Sequence, residues 1–247
     1  MQDQSSQAAR ALAQEAHQIA HSASLDGAYR FIEVGDDPLV IALAYNNLAQ
    51  TFYRQDKDVK TMIDAGRRGV AFALDNAARV ESDAAQTVAK LKNAAKAISF
   101  NVGANTWPGW GDEGIEIAAG EREAGMEMAL LSCRLAQELD LGQKQIGTSH
   151  WLLGAHQIAA NCPEAAIREL DMATDAFASA GEDACKMMAR GYRAMAQKLR
   201  PETRVLAQAE LDQILRDLAE EGGENAKFFR EQIIVADRIL CGERSEG

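Results

Sequence analysis

Proline is scarce, with four residues in 247, so breaks between elements must fall mainly to glycine, asparagine and aspartate. Aromatic residues make up only 6% while alanine recurs throughout. That composition suits closely packed helices better than the β-branched and aromatic faces of a sheet sandwich. The four cysteines, Cys133, Cys162, Cys185 and Cys241, form no C-x-x-C pair. A chain of this length buries about three quarters of its unfolded surface and needs no covalent staples, so they are read as reduced, partly buried thiols. No apolar run approaches the roughly 18 residues of a membrane span. The N-terminus MQDQSSQAARALAQ also lacks the basic start and apolar core of a secretory leader. A cytoplasmic chain is expected.

Positive charge is also short. Lys and Arg total 26 against 37 Asp and Glu, a net −11, which repels phosphate backbones and anionic lipid surfaces. Neither nucleic acid nor a membrane is expected as a partner. The phosphate loop G-x-x-x-x-G-K-[ST], the nucleophile elbow G-x-S-x-G and the metalloprotease H-E-x-x-H are all absent. So is the Glu-x-x-His pair of di-iron bundles. No cofactor and no enzyme chemistry are expected.

What the chain does have is helical periodicity. Leu12, Ala16 and Ile19 mark a first helix from about Ser5 to Ser22. In the less regular stretch LDGAYRFIEVGDDP, Tyr29 to Val34 alternate as a strand would, but no second strand is evident for it to pair with, so the stretch reads as a connector with a short helical turn. Asp37-Pro38 is a strong helix start, since aspartate accepts bonds from free N–H groups and proline fits the first turn. Ile41, Tyr45, Leu48 and Phe52 then keep helical spacing, followed by Val59, Ile63, Gly66, Val70, Ala73 and Ala77 on a second helix. Ser82 is expected to begin a third, through Leu91, Ala95, Ile98 and Val102. The loop NVGANTWPGWGD carries Trp107 and Trp110, and Asp112 is expected to cap a long helix to about Leu139. Later helices cover about Glu182 to Leu199, the stretch through Leu211 to Leu218 ended by Gly222-Gly223, and Phe229 to Leu240. Residues 241–247 read as a disordered tail.

The segment from Gly142 to Ala180 is the clearest hairpin. Pro163 opens its second helix, along which Ala166, Ile167, Leu170, Ala173 and Phe177 share a face. His150, Leu153, Gly154 and Gln157 followed by Ala166 and Leu170 resemble the tetratricopeptide repeat, which pairs two antiparallel helices in about 34 residues. Tyr45, Leu48, Ala49 and Phe52 repeat the first-helix pattern, with Gly66 and Gly69 at the close-contact positions of the next helix. The resemblance implies an all-α, right-handed array of antiparallel helix pairs, about ten helices in a single tetratricopeptide-like α-solenoid domain over 1–247. Residues 37–78 and 142–180 are its clearest repeat-like hairpins.

By the same resemblance, first helices line a concave surface that binds a protein or peptide without chemistry. Some members clamp a terminal carboxylate between asparagine and paired lysine or arginine. The matching positions here are Asn46, Asn47 and Tyr53 on one inner helix and Lys92 and Lys96, one turn apart, on the next, with Trp151 further along. Trp107 and Trp110 either anchor a ligand or plug a hairpin end. The alternative function is a small-molecule-binding or enzymatic helical domain with a pocket closed by that tryptophan loop, and a third reading is homo-oligomerisation through the terminal hairpin at Phe228 and Phe229. His17 and His21 stand one helical turn apart, a spacing that can offer two imidazoles to one metal ion. No third ligand is evident nearby, so no metal is expected.

Overall fold

The structure is a computed structural model describing residues 2–80 and 84–242. Among these residues it is all-helical, with eleven α-helices, one π-turn, one 3-10 turn and no strand. Helices pack in adjacent pairs, in agreement with the expected all-α array of about ten helices. The expected start at Ser82 and the tail beyond Gly242 lie outside the described residues. The chain forms two compact units, one of Met1–Thr106 with Ile117–Leu139, the other of Trp107–Glu116 with Asp140–Gly247.

In the first unit α1 (Gln2–Ser22) packs on α2 (Leu25–Glu33) and α3 (Pro38–Thr51). Its buried residues Ala9, Ala13 and Ala16 are small, which lets neighbouring backbones come close. The stretch expected to be a connector is instead the helix α2. The Ser24 side chain accepts the Gly27 N–H at 3.0 Å, and Ala28, Tyr29 and Ile32 form a buried stripe. Its first-turn cap and its 3-to-4 spacing outweigh the strand-like alternation of Tyr29 to Val34.

At the end of α3 the chain widens into a π-turn, Phe52–Asp56. Lys57 closes it in the left-handed region, φ 57°, and the Asp58 N–H bonds back to the Phe52 carbonyl at 3.1 Å. Asp58 then caps α4 (Val59–Arg79) by accepting from Thr61 N–H at 2.9 Å. Helix α4 packs on α3 and on α5 (Ala85–Asn105), which also touch each other, and α5 packs on α6 (Ala119–Glu138). Both glycines singled out on α4 sit at close contacts. A Cβ on Gly69 would lie 2.5 Å from the Tyr45 Cβ, and one on Gly66 would lie 2.3 Å from a Val102 methyl.

Helix α6 begins seven residues later than Asp112. Gly111 and Gly114 take positive φ, which breaks the expected long helix, and the Glu121 carboxylate accepts the Ala118 N–H at 2.7 Å to start the shorter one.

The second unit begins with a 3-10 turn, Pro108–Trp110, and continues through α7 (Gln143–Ala159), α8 (Pro163–Ser179), α9 (Asp183–Lys198), α10 (Arg204–Glu221) and α11 (Glu224–Leu240). Helix α8 packs on both α7 and α9, and α9 also meets α10 and α11. Gly222 ends α10 at φ 72° with its N–H on the Leu218 carbonyl, as the Gly-Gly stop predicts. All four cysteines are free thiols, Cys133 and Cys185 buried and Cys162 exposed. Among the described residues no helix is long and apolar enough to cross a membrane.

Candidate functional site

The first unit carries an open cleft of about 610 Å³ between the polar edges of α1 and α3. Arg10, Gln14, His17 and Gln18 recur at three- and four-residue steps along α1, beside the buried alanine stripe and not on it. The facing wall is Asn47, Gln50 and Thr51 from α3, continued by Arg54 and Gln55 of the π-turn. The cleft therefore offers five side-chain amides and two guanidinium groups. Neither the Arg10 nor the Arg54 guanidinium has an ion pair or hydrogen bond among the described residues. Both are exposed.

At one side of this cleft His17 meets two partners. Its Nε2 lies 2.8 Å from the Asp56 Oδ2, and the His21 Nε2 lies 3.1 Å from each of those atoms. The histidines come from α1 and the aspartate from the last position of the π-turn. Phe52, buried in the same turn, lies tilted against the His17 ring with the centroids 5.4 Å apart and limits its orientation. His17 and Asp56 are largely covered, with side chains 16% and 21% exposed, whereas His21 is 58% exposed. The third partner missing from the sequence pattern is thus Asp56, 39 residues from His17. Nothing local marks it; it reads only as an acidic residue at a helix break.

The other residues proposed from the sequence are placed as follows. Asn47 lines the cleft, but its neighbour Asn46, about 100° further round the helix, accepts a bond from Asn101 Nδ2 at 2.8 Å. Tyr53 is 7% exposed. Lys92 pairs with Glu138 of α6. Lys96 lies 5.0 Å above the Phe100 ring, and burial pulls its ammonium below the usual lysine range, against a small opposing effect of Cys133. Both ammonium groups are thus engaged within their own unit.

No protein-family model matches this chain, and no curated protein sequence matches it.

In the second unit Trp107, Trp110, Trp151 and Tyr192 pack on one another, with ring centroids 5.2 to 6.4 Å apart. Trp107 is 1% exposed and donates its indole N–H to the Ala155 carbonyl at 3.0 Å. These mutual contacts tie Trp107 and the 3-10 turn to Trp151 of α7 and Tyr192 of α9. Burial holds the Tyr192 hydroxyl well above the ordinary tyrosine range. His150 is buried against Glu169 at 2.7 Å.

Proposed function

We propose that this protein is a non-enzymatic recognition module that captures an acidic peptide segment in the α1–α3 cleft. The observation that carries this reading is the pair of unpaired guanidiniums, Arg10 and Arg54, in a concave, amide-walled site on a chain of net charge −11. A guanidinium binds a carboxylate through two parallel N–H donors. The amides of Gln14, Gln18, Asn47, Gln50 and Gln55 both donate and accept, which suits the N–H and C=O groups of an extended peptide. The acidic remainder of the surface does not cancel this attraction. Its field is screened beyond about 8 Å at physiological salt, whereas the cleft arginines act at contact distance. The resemblance of the helix pairs to tetratricopeptide hairpins supports the same reading, because such pairs commonly present peptide-binding surfaces.

The test is fluorescence anisotropy with a labelled peptide of glutamate and aspartate bearing a free C-terminus. Arg10→Glu and Arg54→Glu, both at exposed positions, are each expected to weaken binding by about 10-fold or more, since a lost charge-assisted pair is worth roughly 1.5–3 kcal/mol. Equal affinity in wild type and in both charge reversals would overturn the reading.

A further inference from the structure

We infer that His17, His21 and Asp56 form a binding site for a single first-row divalent transition-metal ion. Three lone-pair atoms converge there: the Nε2 atoms of two imidazoles one helical turn apart on α1 and the Oδ2 atom that the π-turn brings across to them.

The edges of this triangle, 2.8, 3.1 and 3.1 Å, carry the argument. A point equidistant from the corners lies about 1.7 Å from each within their plane. Lifting that point about 1.2 Å off the plane lengthens all three distances to about 2.1 Å, the bond length of a zinc-like ion to imidazole nitrogen and carboxylate oxygen. Bonds of that length leave ligand atoms about 3.0 Å apart at right angles and about 3.4 Å apart in a tetrahedron. The observed edges match the right-angled arrangement, in which three ligands share one face and the remaining positions stay open to water or to an anionic group.

Protons alone satisfy the cluster poorly. A neutral imidazole carries one N–H shared between two nitrogens, so an Nε2–H on His17 directed at Asp56 cannot also serve the Nε2 of His21. Protonating both Nε2 atoms sets two donors against each other at 3.1 Å. A single cation accepts all three lone pairs at once. Two nitrogen donors disfavour magnesium and calcium, which prefer all-oxygen sites. The π-turn is the structural device for the site: its extra residue displaces Asp56 from where an uninterrupted α3 would carry it.

Cobalt(II) is the probe, because its visible absorption reports the ligand type. The full chain carrying Cys162→Ser, which removes the exposed thiol, is titrated and followed by calorimetry and absorption. The expected result is one ion per chain, with a visible band and no sulfur charge-transfer absorption, together with a rise in thermal midpoint by mass action. His21→Ala, at a side chain 58% exposed, keeps the fold and is expected to weaken binding by at least about 100-fold and abolish the thermal shift. Asp56→Asn is expected to do the same. Unchanged affinity in His21→Ala, or a sulfur charge-transfer band, would overturn the assignment. No peptide enters the titration, so its outcome is independent of the cleft's ligand.

Discussion

Gly154 of α7 faces Leu170 of α8 so closely that a Cβ built on the glycine would lie 2.6 Å from the leucine Cγ. Leu170 is fully buried and sits next to Ala166, Ala173 and Phe177 in the core of α8. The two helix backbones approach at this point because one side has no side chain.

Gly154→Ala is therefore expected to destabilise the protein. Alanine gains about 1 kcal/mol over glycine in helix propensity, but overpacking a filled core costs about 1–3 kcal/mol, leaving a net loss of about 1 kcal/mol. Gly120→Ala makes the opposite control, since nothing lies within 4 Å of a Cβ there. Being near the start of α6 it should gain only about 0.5 kcal/mol. Urea midpoints of the two variants should move in opposite directions.

Glu33 gives a pH-dependent test. Arg68 donates to both carboxylate oxygens, at 2.8 and 3.1 Å, and the Tyr45 hydroxyl donates at 2.6 Å. The Arg68 hydrogen bonds hold this carboxyl below its usual range, and burial opposes them. A depressed folded pKa stabilises the fold above the unfolded value of about 4.3, and this contribution disappears as pH falls through the lowered folded value. Stability should thus fall on acidification below about pH 4.5. With the two side chains 30% and 39% exposed, solvent reduces the effect. Glu33→Gln is expected to lower neutral-pH stability by about 1 kcal/mol and flatten the acid slope. Denaturation curves between pH 7 and pH 3 read both effects; an unaltered slope in the variant would show that other carboxylates set it.

Lys198 and Asp237 join α9 to α11 through two bonds of 2.6 and 2.7 Å. The lysine side chain is only 10% exposed, so removing its partner strands a covered charge. Asp237→Ala is expected to cost about 3 kcal/mol, while Lys198→Met combined with Asp237→Leu should recover most of that loss. A double variant no more stable than the single one would show that the ion pair itself stabilises the second unit.

Much of the helical framework was legible because its signals are local. Asp37 accepts from Leu39 N–H at 2.9 Å, with Pro38 at the first helical position. Pro163 opens α8, and Gly222 closes α10. Each signal acts within about one helical turn, where sequence spacing is spatial spacing. The misread stretches were those whose signals conflict. Tyr29 to Val34 alternates like a strand but is helical to Glu33, and Asp112 resembles a cap but is followed by Gly114 at positive φ.

The candidate sites were half legible, for the same reason. His17 and His21 share a helix, so their adjacency followed from a four-residue step. Asp56 reaches them across 39 and 35 positions, Glu138 reaches Lys92 across 46, and Asn101 reaches Asn46 across 55. By itself the sequence determined an all-helical chain, most of the breaks between its helices, and the small residues at which helices approach. Only the tertiary structure decided which polar groups meet, because that depends on which helix faces bury together, and burial is a property of pairs of elements and not of any one of them.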